Sequence, residues 1–336
     1  MDLSEDELVA AIRRMLSRDV PGVLVGPGDD AAVVQAGAAA QVLTADMLVE
    51  GVHFERETIS PQDLGAKAIV VNVSDIAAMA ASPRFALVSI GIPPDLDAPW
   101  VVELYGGMLA ACDEYALSLV GGDTNRAERV TLSVSVIGEG APGRVVTRTG
   151  ARKGDVVVVT GSLGAAAGGL ALSRRHPSVL GEGLRVGWSR PLLDALNRPV
   201  ARVGEGQTLA QAGATAMIDV SDGLARDLSR LCAESGVGAR VNLERIPVAP
   251  ALRDAAPVLG VDALELALRG GEDYELIATI DAEAFDRARG ELDDRFGVTL
   301  TEVGVIIDQG YVAVDADGRE SPLEPKGWEH FTGVQD

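Results

Sequence analysis

Four consecutive valines stand in the segment DVVVVTGSLG (155–164), with an Ala- and Leu-rich stretch directly behind them. A strand with no polar face must be covered on both sides, which is the condition of a strand inside a layered α/β sheet. The rest of the packing must follow the same style. Hydrophobic residues make up 47% of the 336 residues but aromatics only 4%, so Ala, Val, Leu and Ile fill the interior. A chain of this length exceeds one comfortable core, and two medium domains are expected.

The first half reads as mixed α/β. VPGVLVGPGDDAAVV is turn-rich around Gly26, Pro27 and Gly28, and AQVLTADMLVEGVHF reads as a buried strand running into a polar loop. SPQDLGAKAIVVNVSDIAAMAASP follows as a long helix with Ser60 as cap and Pro61 at its first position, ending before Pro83. A strand, a helix and two further strands complete this half. The polar, glycine-rich segment at 140–155 marks the boundary, giving an N-terminal domain 1–140 and a C-terminal domain 150–336. MDLSEDELVAAIRRML reads as a short amphipathic helix with a Ser4 cap and Glu7 three residues on, without the apolar core of a signal peptide. No apolar run reaches the roughly 20 residues of a membrane span. Cys112 and Cys232 lie in helix-like stretches without metal-ligand spacing and read as core thiols. A cytoplasmic location without membrane attachment is expected.

The formal net charge of -21 excludes a phosphate-backbone binder built on Lys and Arg, so no nucleic-acid partner is expected. Any anionic ligand would need bridging cations. Short acidic motifs recur at the junctions of apolar segments: GPGDDAA (Asp29, Asp30), LTADML (Asp46), NVSDIAA (Asp75), VGGDTN (Asp123) and MIDVSDGL (Asp219, Asp222). Except for Asp75, each is expected where an apolar strand ends, at the crevice where α/β proteins build sites. Hard cations such as Mg²⁺ take carboxylate, carbonyl and water oxygens, usually with substrate phosphates completing the shell. Turn and cap chemistry would explain any one of these aspartates, and Asp222 is a ready cap for a helix at Gly223. As a set they point to a metal site. Neither a Walker A pattern nor GxGxxG occurs, and the glycines of TGSLGAAAGGL read as helix-packing positions.

Taken together and in order, GPGDDAAVV, TADMLVEGVHF, NVSDIAAMAASP, LVGGDTN, TRTGARKGD, TGSLG, IDVSDGLARDL, LRGGEDYELI and GWEHF resemble the thiamine-monophosphate kinase family over nearly the whole chain. That family belongs with aminoimidazole ribonucleotide synthetase and selenophosphate synthetase. The resemblance implies an α/β (α+β type) two-domain fold: an N-terminal mixed sheet that pairs into a β-barrel across a homodimer, and a C-terminal α/β domain. It implies ATP as co-substrate, several Mg²⁺ ions and thiamine monophosphate as acceptor. Matched residue by residue, Asp30, Thr44, Ala45 (through its backbone oxygen), Asp46, Asp75, Asp123, Asp219 and Asp222 fall on the metal positions. Tyr105, Gly122, Asp123, Arg148 and Ser221 fall on ATP contacts, and His53, Glu272 and Trp328 on substrate contacts. Asp29 has no role assigned, and His176 and His330 read as structural. A thiazolium cation suits the carboxylate of Glu272 and the face of Trp328. With a phosphate monoester as acceptor, ionised above about pH 6, no general base is required. The rival readings are another ATP-using enzyme of that superfamily, or a non-catalytic nucleotide- or metal-binding protein.

Overall fold

A computed structural model describes residue 7 and residues 22–26, 28–36, 39–141, 143–175 and 187–329. Apart from Glu7, the expected N-terminal helix lies outside the described residues, as do Pro27, His176 and His330. The first sheet is built from β1 (Val23–Val25), β2 (Ala32–Ala36), β3 (Ala39–Val49), β4 (Ser82–Ile92), β5 (Ser118–Arg126) and β6 (Thr131–Gly140), in the order β1-β2-β3-β6-β4-β5. It is mixed: β4 and β5 run parallel and the other pairs antiparallel.

One face of this sheet is apolar and covered by two helices, α1 (Pro61–Ala78) and α2 (Ala98–Glu114). Val42, Val88, Leu132 and Val134 of the strands meet Leu64, Ile69, Val73 and Ile76 of α1 and Leu104 and Met108 of α2 in one core. The Ser60 side chain accepts from the Asp63 N–H and Pro61 opens the helix, as the sequence indicates. Glycines let the two helices touch along their backbones. A Cβ on Gly65 would lie 1.9 Å from Leu104 O, and one on Gly107 1.8 Å from Gln62 O. The opposite face of the sheet leaves Met47, Phe85 and Leu87 exposed.

The second sheet contains β7 (Val156–Thr160), β8 (Ala216–Asp219), β9 (Gly238–Asn242), β10 (Leu276–Ile280), β11 (Leu300–Ile307), β12 (Tyr311–Val314) and β13 (Glu320–Pro322), ordered β13-β12-β9-β11-β7-β10-β8. Its helices are α3 (Ala165–Arg175), α4 (Ser189–Asn197), α5 (Val203–Ala212), α6 (Leu224–Ser235), α7 (Pro250–Leu259), α8 (Ala263–Arg269) and α9 (Ala282–Phe296). The four-valine strand is covered on both faces. Val157 and Val159 pack with Leu224, Leu228 and Leu231 of α6, whereas Val158 packs with Leu209 of α5 and Leu292 of α9. Full burial of one such side chain contributes about 1.5 kcal/mol or more. Cys112 and Cys232 are buried and unpaired by disulfide, in α2 and α6. Among the described residues no helix is long and apolar enough to cross a membrane.

Two aspartates sit elsewhere than at a strand end. Asp46 lies inside β3 and Asp123 inside β5. The strands continue past them because β6 keeps pairing with β3 to Val49, and β4 with β5 to Arg126. Strand-ending signals read from polarity fail where the ladder itself is unbroken.

Candidate active site

α1 is apolar over most of its length, yet it carries Asn72, Ser74 and Asp75 near its C-terminal end. Between them they hold two distant segments. β2 pairs with β3 only as far as Leu43, and beyond it the Asp46 N–H donates to Asn72 Oδ1 at 3.0 Å. Thr44 Oγ1 donates to Asp75 Oδ2 at 2.5 Å, and Ser74 Oγ donates to Asp219 Oδ2 at 2.6 Å. One helix thereby joins β3 of the first sheet to the end of β8 in the second.

Around this junction Asp30, Asp75 and Asp219 each offer a carboxylate oxygen, all within 4.8 Å of one another. Such crowding of buried like charges costs free energy unless protons or cations intervene. The carboxyl groups register it. Burial first, then Asp222 and Asp30, raise Asp46 to about 6. Burial with Asp46, Asp219 and Asp30 raises Asp75 well above the ordinary carboxylate value, and burial with Asp30 does the same for Asp219. Oxygen-only donors, closely spaced and short of positive charge, fit a hard divalent cation.

The adjacent pair Asp29 and Asp30 divides its work. Asp30 faces the cluster and accepts a two-pronged contact from Arg148, Nε to Oδ2 at 3.1 Å and Nη2 to Oδ1 at 2.6 Å. Asp29 instead accepts from the Arg148 backbone N–H at 3.0 Å and from the Asp30 N–H at 3.1 Å. Burial and the Asp30 charge raise Asp29 to about 6. Burial works against the Arg148 charge, yet Asp30 more than offsets this and holds the guanidinium above its ordinary value. Arg148 is therefore half-sheltered at the cluster and no solvated loop charge.

Helix α6 starts at Leu224 with Gly223 as its cap and no side chain capping it. Asp222 is consequently free of capping duty; its Oδ2 lies 2.6 Å from Arg230 Nη1. Asp227, fully buried, accepts from the N–H groups of Ser221 (3.1 Å) and Asp222 (2.9 Å) and so fixes the turn that carries both. Burial, then Asp222, raise Asp227 to about 7. Trp328 is tied to the same turn, its N–H donating to Asp222 O at 3.1 Å and its carbonyl accepting from Arg226 Nη1. Trp328 as a whole is 37% exposed, while its backbone anchors the tail.

The GGEDYEL segment runs beside this turn. Glu272 donates its N–H to Ser221 O at 2.8 Å, and its Oε1 lies 2.9 Å from Nζ of Lys67, a buried lysine of α1. Both Asp273 oxygens accept from the Gly164 N–H, at 2.9 and 2.8 Å. A carboxylate thus occupies the N-terminus of α3, where a phosphate would sit in a glycine-rich loop. The glycines of α3 serve packing instead: a Cβ on Gly169 would lie 2.3 Å from Leu192 O.

The remaining expected residues lie on the first sheet, on α2 and in the loop after β3. Asp123 is exposed on β5 and accepts from Asn125 Nδ2 at 2.6 Å, without a hydrogen bond or ion pair to the cluster. Gly122 lets β5 close on β4, since a Cβ there would lie 1.8 Å from Val88 O. Tyr105 packs against the first core from α2, and Ala45 is exposed on β3 opposite Ser135. His53 is half-buried after β3, its Nδ1 accepting from the Val49 N–H at 3.0 Å.

Residues 28–140 match the AIR synthase related protein, N-terminal domain, and residues 152–317 match the AIR synthase related protein, C-terminal domain. The thiamine-monophosphate kinase of Aquifex aeolicus is 35% identical over 330 residues, 98% of this chain and 99% of that protein. This chain belongs to the thiamine-monophosphate kinase family. Among solved structures, AaThiL complexed with AMPPCP and TMP superposes with a TM-score of 0.86 at 34% identity, covering 98% of this chain and 99% of that one. A thiamine-monophosphate kinase from Stenotrophomonas maltophilia gives 0.77 at 38% identity, covering 96% and 99%. Within this kinase-family frame, several residues gain importance that motif reading left unassigned. Asn72 and Ser74 were visible as polar interruptions of an apolar helix, and Lys67 as a lone cation there. Asp227 carried no signal separable from an ordinary helical acid.

Proposed function

We propose that the chain phosphorylates thiamine monophosphate to thiamine diphosphate with ATP, by direct in-line transfer of the γ-phosphoryl group. The convergence of Asp30, Asp75 and Asp219 carries the reading. The complex of a 34% identical relative with AMPPCP and TMP supports both substrates. In this reading residues 1–140 bind nucleotide and metal and residues 150–336 complete the site, in the cytoplasm.

Mg²⁺ ions would be held by Asp30, Asp46, Asp75, Asp219 and Asp222, with Ala45 and Asp123 completing the set, and would neutralise charge between the phosphates. Thr44 belongs to the same set in this reading, and its hydroxyl also donates to Asp75. Arg148 is placed to exchange its contact with Asp30 for phosphate oxygens, and Ser221 sits on the turn held by Asp227. Glu272 and the indole of Trp328 suit a thiazolium cation, with His53 on the opposite domain. The acceptor phosphate is already ionised near neutral pH, so its oxygen attacks without a base and without a phosphoenzyme.

The exposed apolar residues Met47, Phe85 and Leu87 favour a homodimer in which two first sheets close into a barrel. Gly122 and Asp123 lie on the strand such pairing covers, so their ATP contacts, with that of Tyr105, belong to the subunit boundary in this reading. Incubation of the protein with MgATP and thiamine monophosphate should yield ADP and thiamine diphosphate. Nucleotide binding without turnover, or turnover only with another acceptor, would refute the reading.

A further inference from the structure

The loop 270–275 between α8 and β10 is fixed at three consecutive residues. Glu272 and Tyr274 donate their N–H groups to Ser221 O and Val220 O, at 2.8 and 2.9 Å, while Asp273 is clamped on Gly164. Glu272 and Tyr274 both adopt positive φ, +66° and +51°. Side chains other than glycine rarely take this conformation, and it persists where surrounding contacts dictate it.

The consequence is the placement of the Tyr274 side chain. It is 7% exposed, and its hydroxyl makes no hydrogen bond to any described residue. Among the described residues this oxygen is not one of the enclosed side-chain atoms left without a partner, so it keeps access to space that a ligand or water can enter. The charges that act on this hydroxyl are those of Glu272, Asp46, Asp219 and Asp75. The Tyr274 backbone is bonded to Val220, the residue directly after Asp219, so the residue stands beside the carboxylate cluster, and burial with these charges keeps its hydroxyl protonated and able to donate.

We infer that the Tyr274 hydroxyl donates a hydrogen bond to the phosphate monoester of the acceptor substrate. The inference rests on the thiamine-monophosphate reading. A cationic donor in this position would be held by the aspartates until a phosphate displaced it, as Arg148 is by Asp30. A neutral phenol escapes that capture and still offers an anion a charge-assisted bond. The acceptor is favoured over the nucleotide because Glu272, two residues away, is the proposed contact for the thiazolium of the same molecule.

Tyr274→Phe removes only the hydroxyl. Because that hydroxyl has no protein partner to lose, the melting temperature should stay that of the wild type. kcat/KM for thiamine monophosphate should fall by about 10-fold or more, as for loss of a bond to a charged group, with the KM for ATP unchanged. Calorimetry with a non-hydrolysable nucleotide present should show weaker binding of thiamine monophosphate and unaltered binding of thiamine. Kinetics within about two-fold of wild type, a loss confined to the ATP KM, or equal weakening for thiamine would overturn the inference while wild-type turnover upholds the parent reading. A wild-type protein inactive on thiamine monophosphate would remove both.

Discussion

Lys67 Nζ lies 2.9 Å from Glu272 Oε1 and 3.0 Å from the carbonyl oxygen of Leu196, so one buried ammonium on α1 ties together two segments of the second domain. Breaking a buried pair leaves the remaining charge uncompensated. Lys67→Met, similar in volume, is expected to destabilise the protein by about 2 kcal/mol in urea unfolding, less than for a fully buried pair because Glu272 keeps solvent access. The variant should also raise the KM for thiamine monophosphate, since Glu272 loses the contact that orients it. An unaltered unfolding midpoint would show that Lys67 does not pair in solution.

Neutralising one member of the carboxylate cluster separates stability from activity. In Asp75→Asn or Asp219→Asn the amide oxygen can still accept from Thr44 or Ser74, while one repelling charge is gone. The metal-free variant should melt no lower than the wild type, and kcat should fall about 100-fold or more, as expected when a proposed metal ligand is lost. Thermal melts and steady-state kinetics on the same preparation check both halves. Unfolding of the variants would assign these aspartates a structural role.

The raised carboxyl groups give stability a definite pH dependence. Asp46 titrates at about 6 in the folded chain, against 3.8 ordinarily, so between these values the folded state holds a proton that the unfolded state has released. Stability then falls as pH rises through that window, and Asp75 and Asp219, raised further, extend the fall upward. Metal-free protein should melt at a lower temperature at about pH 8 than at about pH 5, and Mg²⁺ should raise the melting temperature more at the higher pH. Equal Mg²⁺ effects at both values would argue against cation binding by these carboxylates.

The exposed face of the first sheet offers a test of the proposed dimer. Leu87 is 45% exposed and Phe85 48%, so Leu87→Glu should leave folding intact and convert a dimer into monomer in sedimentation velocity. If pairing of these faces completes the ATP site, the same variant should raise the KM for ATP. A wild-type monomer would contradict the pairing directly.

Much of the fold could be read from residue patterns because the causes are local. Four valines in a row demand cover on both faces, Ser60 and Pro61 start α1, and Gly270 and Gly271 end α8 before β10. The carboxylates could also be recognised, since each stands out within its own segment. Their partnerships could not. Asn72, Ser74 and Asp75 act on β3 and on β8, separated from α1 by dozens of residues, and periodicity carries no information about which distant segment a buried polar group will meet.

The sequence by itself determined the secondary elements, the layered α/β character and the supply of oxygen ligands, because apolar period, caps and glycines act within a few residues. Only the tertiary structure decided how the neighbours divide their roles. It turned Asp30 toward the cluster and Asp29 toward the Arg148 backbone, released Asp222 from capping, and placed Lys67 and Tyr274 at the site. Those choices depend on charge, burial and hydrogen-bond competition among groups that meet only when the two sheets close on α1.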